Sequence, residues 1–348
     1  MYRIGIIGCG KISQVRHIPE HEASGRARIT AFYDVNMERA EEIAGKHGGK
    51  AYGDLDALLS SGVDAVSVCT SNSTHADITI KALEKGVNVL CEKPMAVTLE
   101  DCLRMEEAAK RNGRILFIGQ NQRLAGAHRR AKELIEQGAI GRVVAFRTAF
   151  GHGGPETWSV DPGKNTWFFD SRKAVMGAMA DLGIHKTDLI SYLLSDRITA
   201  VTATLRTLDK KDGNGNPISV DDNALCIYEM ASGVIGTMSA SWTYYGDEDN
   251  STVLYGTDGI MRIYADPAHS ITIEKRNGER CYLDIDRIQT NDAQTSSGVI
   301  DAFLDSLDKG EALISGESVV PAMRAVFAAI ESSKTGRRVE IPENKEVL

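Results

Sequence analysis

Residues 2–13 read "YRIGIIGCGKIS", a short apolar run that meets Gly8-x-Gly10-x-x-Ser13 with no polar segment in between. At a strand-to-helix turn, Gly8 permits the tight reversal. Gly10 lets the backbone approach a pyrophosphate at the N-terminus of the helix that follows. Ser13 stands where a third Gly or Ala usually packs helix on strand, and it is small enough to fit. The second apolar run ends 21 residues later at Asp34, in "AFYDVN". A carboxylate there accepts from both adenine-ribose hydroxyls and repels a 2′-phosphate. No Arg occupies position 35 or 36 to clamp such a phosphate. The pattern predicts NAD rather than NADP, with Lys11 and Ile12 on the cofactor side of the same turn.

Outward from this turn, apolar runs alternate with helical patterns. Strands are expected at Arg3–Ile7, Arg28–Tyr33, Ala65–Cys69, Val87–Cys91 and Ile115–Ile118. Helices are expected at Ile12–His17, Met37–His47, Asp54–Ser60, Thr74–Lys85 and Leu99–Asn112. This alternation specifies α/β structure, a Rossmann-type doubly wound parallel sheet with helices on both faces. "GQNQRLAG" ends the pattern, so the boundary is placed near residue 122. Residues 1–122 form the NAD-binding domain; residues 123–348 form an α+β domain for substrate and oligomerisation.

The second part opens with a basic amphipathic helix (Ala127–Gln137), a strand (Arg142–Phe150), a Gly-rich loop and a helix (Val175–Leu194). "ITAVTATLRT", "NALCIYEM" and "VIGTMSASW" then alternate with period two, as strands with one buried face do. "GNGNP" and "ASGV" are turn signals between them, so a mostly antiparallel open sheet is expected. Helical patterns return at Val299–Leu307 and Ser318–Ser333, and disorder is expected only at the extreme C-terminus.

The bulk properties exclude several classes. With 348 residues, 42% apolar, the chain can bury a core without staples. A net charge of −8 and no Lys/Arg cluster argue against a nucleic-acid or anionic-membrane partner. Six cysteines without a C-x-x-C read as reduced thiols of a cytoplasmic protein. The start is no signal peptide, and no window approaches the roughly 18 apolar residues that would span a bilayer.

Two stretches carry chemistry. "GVNVLCEKPMAV" (86–97) ends an apolar run on Glu92, Lys93 and Pro94 in succession. In "MGAMADLGIHKTDLISYLL" (176–194), Asp181, His185 and Asp188 make one polar stripe on an otherwise apolar helix. A buried charged stripe is costly unless partnered. The stripe is therefore either a structural network or the wall of a polar pocket. In the loop 151–170, "GHGGPETWSVDPGKNTWFFD", Trp158 and Trp167 could stack on a ligand face, with packing the favoured role for Trp167, and His152 could bond a hydroxyl. His152, Glu156 and Asp161 match no metal-ligand spacing, so no metal is expected.

The order G-x-G, "TSNSTHAD" (70–77), "EKP" and D-x-G-x-H-x-x-D resembles that of the Gfo/Idh/MocA oxidoreductases. That family includes glucose–fructose oxidoreductase, inositol dehydrogenases and many sugar dehydrogenases. The likeness covers essentially the whole chain, down to "ESVVPAMRAVFAAIESSKTGRRVEI" (317–341). It implies NAD-dependent hydride transfer from a hydroxyl carbon of a sugar, glycoside or cyclic polyol. Lys93 would point at the nicotinamide and the reacting carbon, with a cis Lys93–Pro94 bond, and Glu92 would position the lysine or touch the cofactor. Thr70, Ser71, Asn72 and His75 would line the nicotinamide-ribose and diphosphate side, and Asn121 would lie near the cofactor. His185 would act as general base with Lys93 stabilising the alkoxide, or the two roles would be exchanged; Asp181 would orient the substrate. One departure stands out: where relatives often carry Gly-Gly-Gly, this chain has Val175-Met176-Gly177. Two alternatives share the resemblance, a redox-cycling glycoside-cleaving enzyme and a non-catalytic sugar or NAD sensor. Apolar residues on both faces of "ALCIY" and "VIGTM" suggest a homo-oligomer, dimer or tetramer.

Overall fold

The computed structural model describes residues 1–288 and 295–343; the extreme C-terminus, where disorder is expected, lies outside the described residues. The chain divides into two compact units, neither of them one contiguous stretch. One comprises Met1–Asn121 with Trp158–Asp161 and the segment ending at Val320; the other comprises Gln122–Thr157, Pro162–Ile288 and the described residues from Pro321.

In the first unit, β1 (Tyr2–Ile7), β2 (Ala27–Tyr33), β3 (Lys50–Ala51), β4 (Ala65–Val68), β5 (Asn88–Cys91) and β6 (Leu116–Ile118) form one sheet. Its order is β3-β2-β1-β4-β5-β6 and every pairing is parallel. The strands are apolar runs because helices cover both faces; Ile4, Ile6, Ile7, Val66, Val68 and Val89 are fully buried. The helices start and stop on local chemistry. Asn36 accepts the Arg39 N–H ahead of Met37–His47, which ends on the left-handed Gly48. Thr98 and Gly113 bracket Leu99–Asn112 in the same way. Strand order reverses between β1 and β4, and in open α/β sheets ligands bind beyond the carboxyl ends of the strands at such a switch. Gly8 follows β1, Thr70 to Asn72 follow β4, and Glu92 and Lys93 follow β5.

In the second unit the strands are β7 (Val143–Gly151), β8 (Ile198–Arg206), β9 (Asn223–Met230), β10 (Ile235–Ser241), β11 (Thr252–Gly256), β12 (Gly259–Ile263), β13 (Ile271–Lys275), β14 (Arg280–Leu283) and β15 (Val339–Glu340). Their order is β14-β13-β12-β11-β7-β10-β9-β8-β15, antiparallel except for β7 with β10. The expected doubly wound parallel sheet and mostly antiparallel second sheet are both present. Two helices differ from expectation. The helix after Gly10 starts at residue 11, close to the expected Ile12, but runs as a π segment over Ser13–His17 before continuing as Ile18–Ala23. The buried helix starts at Ala178 rather than Val175, passes through a π segment (Met179–Gly183) and continues as Ile184–Leu194. The cause lies outside the helix: the Asp221 carboxylate accepts the N–H groups of Gly177 and Met179, each at 2.8 Å.

Candidate functional site

The glycine turn has the shape a dinucleotide needs. Gly8 holds φ at +93°, and a Cβ there would lie 2.6 Å from the Cys69 carbonyl oxygen. A Cβ at Gly10 would meet nothing within 4 Å, so the backbone beside it is open to a ligand. Asp34 is nearly buried at the end of β2. Its carboxylate accepts the Cys9 N–H and the Asn36 N–H, each at 2.8 Å, which aims it across the turn with lone pairs remaining for hydroxyls. Lys11 and Ile12 follow Gly10 and are partly exposed. These features fit NAD.

Beyond β4, Thr70 and Ser71 are partly exposed and Asn72 is buried. Thr74 Oγ1 donates to Ser71 O at 2.8 Å, which shapes the short turn. His75 is enclosed: its ring nitrogens face the Pro94 carbonyl at 2.8 Å and the Thr70 carbonyl at 3.2 Å. The ring therefore ties the segment after β4 to the turn after β5. Burial lowers its pKa, which favours the neutral form with one N–H donated.

The Lys93–Pro94 bond is cis, and Lys93 is partly exposed at the end of its strand. Glu92 is buried. Burial alone would raise its pKa, but the Arg16 guanidinium and the His17 hydrogen bond outweigh that and hold it well below the usual carboxylate range. At the end of β6, Asn121 Oδ1 and both amide atoms of Gln120 are buried without a partner among the described residues. Gln120 is 1% exposed. Such amides are rare in a finished interior and mark a place where a ligand group completes the bonding.

In the second unit the polar stripe separates into roles. Asp188 forms a bidentate ion pair with Arg123, at 2.6 and 2.7 Å, and belongs to the framework. Asp181 Oδ2 accepts the indole N–H of the fully buried Trp242 at 3.0 Å. His185 lies 5.8 Å from the Phe150 ring, centroid to centroid, and His152 packs on that ring at 6.0 Å. The Gly154 N–H donates to His152 Nδ1 at 3.0 Å, so in the neutral ring Nε2 carries the proton. Lys186 is fully buried, with Nζ donating to the Asn250 carbonyl at 2.8 Å and standing 5.8 Å from the Phe150 centroid. Burial pushes its pKa down to about 7 against the pull of Asp249 and Glu248.

The loop residues part company. Glu156 pairs with Lys210, whereas Asp161 pairs with Arg39 at 2.7 Å. Trp158 is half-buried in the short segment grouped with the first unit. Trp167 stacks on Phe168 at 3.9 Å. Sequence reasoning missed Arg16, His17, Arg123, Lys186 and Trp242, whose partners lie on other elements, and Gln120, whose buried amide has no partner among the described residues. "GQNQR" held Gln120 and Arg123 in plain view without a spacing to flag them.

Comparison with known proteins agrees with this geometry. Residues 2–120 match the family model described as "Oxidoreductase family, NAD-binding Rossmann fold", and residues 128–262 match "GFO/IDH/MocA C-terminal domain". Myo-inositol 2-dehydrogenase of Thermotoga maritima is 29% identical over 98% of this chain and 99% of its own. Inositol 2-dehydrogenase 3 of Saccharopolyspora erythraea is 30% identical over 77% of this chain and 74% of its own. A solved levoglucosan dehydrogenase, in complex with NADH and levoglucosan, shares the fold with a TM-score of 0.86 at 23% identity, covering 99% of this chain and 100% of that one. With the open glycine turn, the buried Asp34 and both family domains in place, the chain belongs to the Gfo/Idh/MocA oxidoreductases and is an NAD-dependent enzyme.

Proposed function

We propose that the protein oxidises a secondary hydroxyl of a cyclic polyol, sugar or glycoside, with NAD as the hydride acceptor. The observation that carries this reading is the division of labour on the buried helix. Asp188 is committed to Arg123, while Asp181 and His185 stand on the same stripe without being part of that pair. The names of the relatives, inositol and levoglucosan dehydrogenases, support the substrate class.

The Gly8–Gly10 turn with Lys11 and Ile12, Asp34, the Thr70 to Asn72 segment and Asn121 would hold NAD. When bound, the nicotinamide supplies the hydride-accepting carbon. His185 takes the hydroxyl proton as general base, a role typically worth about 10²- to 10⁴-fold. Lys93 donates a hydrogen bond to the same oxygen and stabilises the negative charge that builds there. The exchange of these two roles is the alternative assignment. Asp181, steadied by Trp242, accepts from a neighbouring hydroxyl. His152 donates through Nε2–H to another, and Trp158 offers an aromatic face. The oligomer is proposed to form through the exposed sheet face that carries Leu225, Ile227 and Ile235.

The test is a panel of inositols, hexoses, pentoses and glycosides with NAD or NADP, read by nicotinamide absorbance. Wild type should reduce NAD with one substrate group, and Lys93→Met and His185→Ala should each lose at least about 10²-fold in turnover. A preference for NADP would overturn the reading of Asp34. Glycoside cleavage without net NADH would replace the dehydrogenase by the redox-cycling reading.

A further inference from the structure

Behind the glycine turn lies a charged cluster with no role in the chemistry above. The π segment Ser13–His17 sends two successive side chains to one carboxylate. Arg16 Nη1 donates to Glu92 Oε1 at 3.0 Å, and His17 Nε2 meets the same oxygen at 2.7 Å. All three side chains are at most 5% exposed. Glu92 Oε2 accepts the backbone N–H of Lys93 at 3.3 Å. On the far side, a Cβ at Gly119 would stand 3.2–3.3 Å from the carboxylate group, so the end of β6 closes over it. The carboxylate is thus enclosed by the π segment, its own turn and β6.

The neighbouring bases do not compete for it. One helical turn on, His21 Nε2 meets Ser67 Oγ at 3.1 Å. Burial, with His17 nearby, pushes the His21 pKa down to about 3, so that ring is neutral near pH 7. Arg16 balances the charge of Glu92. Lys93 also acts on the Glu92 charge, and its backbone N–H is joined to the same carboxylate.

We infer that Arg16 and His17 are positioning residues for Lys93, acting through Glu92, which anchors the lysine turn to the helix behind the cofactor's glycine turn. The inference rests on the reading of Lys93 as the group that bonds the substrate oxygen. It also separates the two roles open to Glu92: an enclosed carboxylate orients the lysine rather than touching the nucleotide. An enclosed pair is costly to break from one side, because the surviving charge stays buried. A displacement of about 1 Å at a reacting group is enough to lose about 10²-fold in rate.

The experiment compares wild type with Glu92→Gln, His17→Leu and His17→Gln, the last of which keeps a donor for Glu92. Three quantities are read: the NAD dissociation constant by tryptophan fluorescence, kcat and KM on the responding alcohol, and the rate at which Lys93 is acetylated by acetic anhydride, followed by peptide mass spectrometry. Glu92→Gln and His17→Leu should lower kcat about 10²-fold while the NAD constant stays within about threefold, and His17→Gln should recover about tenfold of the loss. In Glu92→Gln the lysine turn loses the charged anchor that ties it to the π segment, so Lys93 should open more readily to the reagent and be acetylated about fivefold faster at fixed pH. NAD affinity falling in step with kcat would overturn the inference, since Glu92 would then contact the cofactor. Unchanged turnover would overturn it too, leaving a packing network. If wild type oxidises no alcohol, the reading of Lys93 fails; the acetylation rate still decides whether the cluster governs the lysine, and equal rates in wild type and Glu92→Gln would refute that.

Discussion

Val175 holds φ at +65° although its side chain branches at Cβ. In the left-handed region Cβ crowds the following carbonyl, and a β-branched residue suffers most. The position falls in the triplet that many relatives fill with glycines. Val175→Gly should therefore raise stability by about 0.5–1 kcal/mol after the entropy of the extra glycine is deducted. A higher urea midpoint at constant slope would show it, and an unchanged or lower midpoint would contradict it. Lys186 supplies a second test at this scale. Its folded pKa is depressed from 10.5 to about 7, with Asp249, Glu248 and His128 as its charged or titratable neighbours. Between those values the unfolded chain binds the proton and the folded chain does not, so stability contributed here rises with pH from about 7 to 10.5 and is flat below. Relative to Lys186→Met, the wild type should gain up to about 1.4 kcal/mol per pH unit across that window. Parallel pH profiles for the two proteins would refute the assignment. Order and spacing single out Gly8, Gly10 and Asp34 in the sequence, and the family resemblance adds Lys93 and His185 as candidates. Arg16 and His17 were not legible, because nothing local says that Glu92 comes to rest 76 residues away beside Arg16.

Two π segments mark the elements that matter, Ser13–His17 behind the glycine turn and Met179–Gly183 carrying Asp181. Single π turns inside helices are often found at functional sites. The second depends on Asp221, whose carboxylate binds Gly177 and Met179, and on Gly177 itself, where a Cβ would come within 1.8 Å of the Asp221 carbonyl. Asp221→Ala should cost about 1–2 kcal/mol, as the loss of a helix cap does. It should also lower kcat while leaving NAD affinity intact, since it loosens the turn that carries Asp181. Thermal unfolding and a nucleotide titration read the two parts, and a fall in NAD affinity would contradict the account. Long periodic elements were legible, as Met37–His47 and Leu99–Asn112 demonstrate. The strands of five residues or fewer between Thr252 and Leu283 were not, being too short for periodicity to stand out. The parallel pairing of β7 with β10 was hidden as well, because more than eighty residues separate the partners.

For the whole molecule, the sheet of the second unit leaves an apolar face uncovered. Leu225, Ile227 and Ile235 are 62%, 52% and 56% exposed. Ile227 pairs with Thr237 and Leu225 with Ser239, so these side chains share one face. Exposed apolar side chains grouped in this way fit the proposed contact with a second copy. Light scattering should find a dimer or tetramer for wild type and a monomer for Leu225→Lys/Ile227→Lys; a monomeric wild type would end the proposal. The division into units was only partly legible. A change of texture near residue 122 is visible, whereas the return of Trp158–Asp161 and of the segment ending at Val320 to the first unit depends on tertiary packing. The most direct test of the central claim follows the hydride itself. The responding polyol or sugar, deuterated at the carbon to be oxidised, is incubated with NAD and wild-type protein, and the nucleotide is examined by mass spectrometry. The account predicts deuterium on the nicotinamide, a slower rate than with the protonated substrate, and neither result with Lys93→Met. Unlabelled NADH, or a converted sugar with no net NADH, would contradict it.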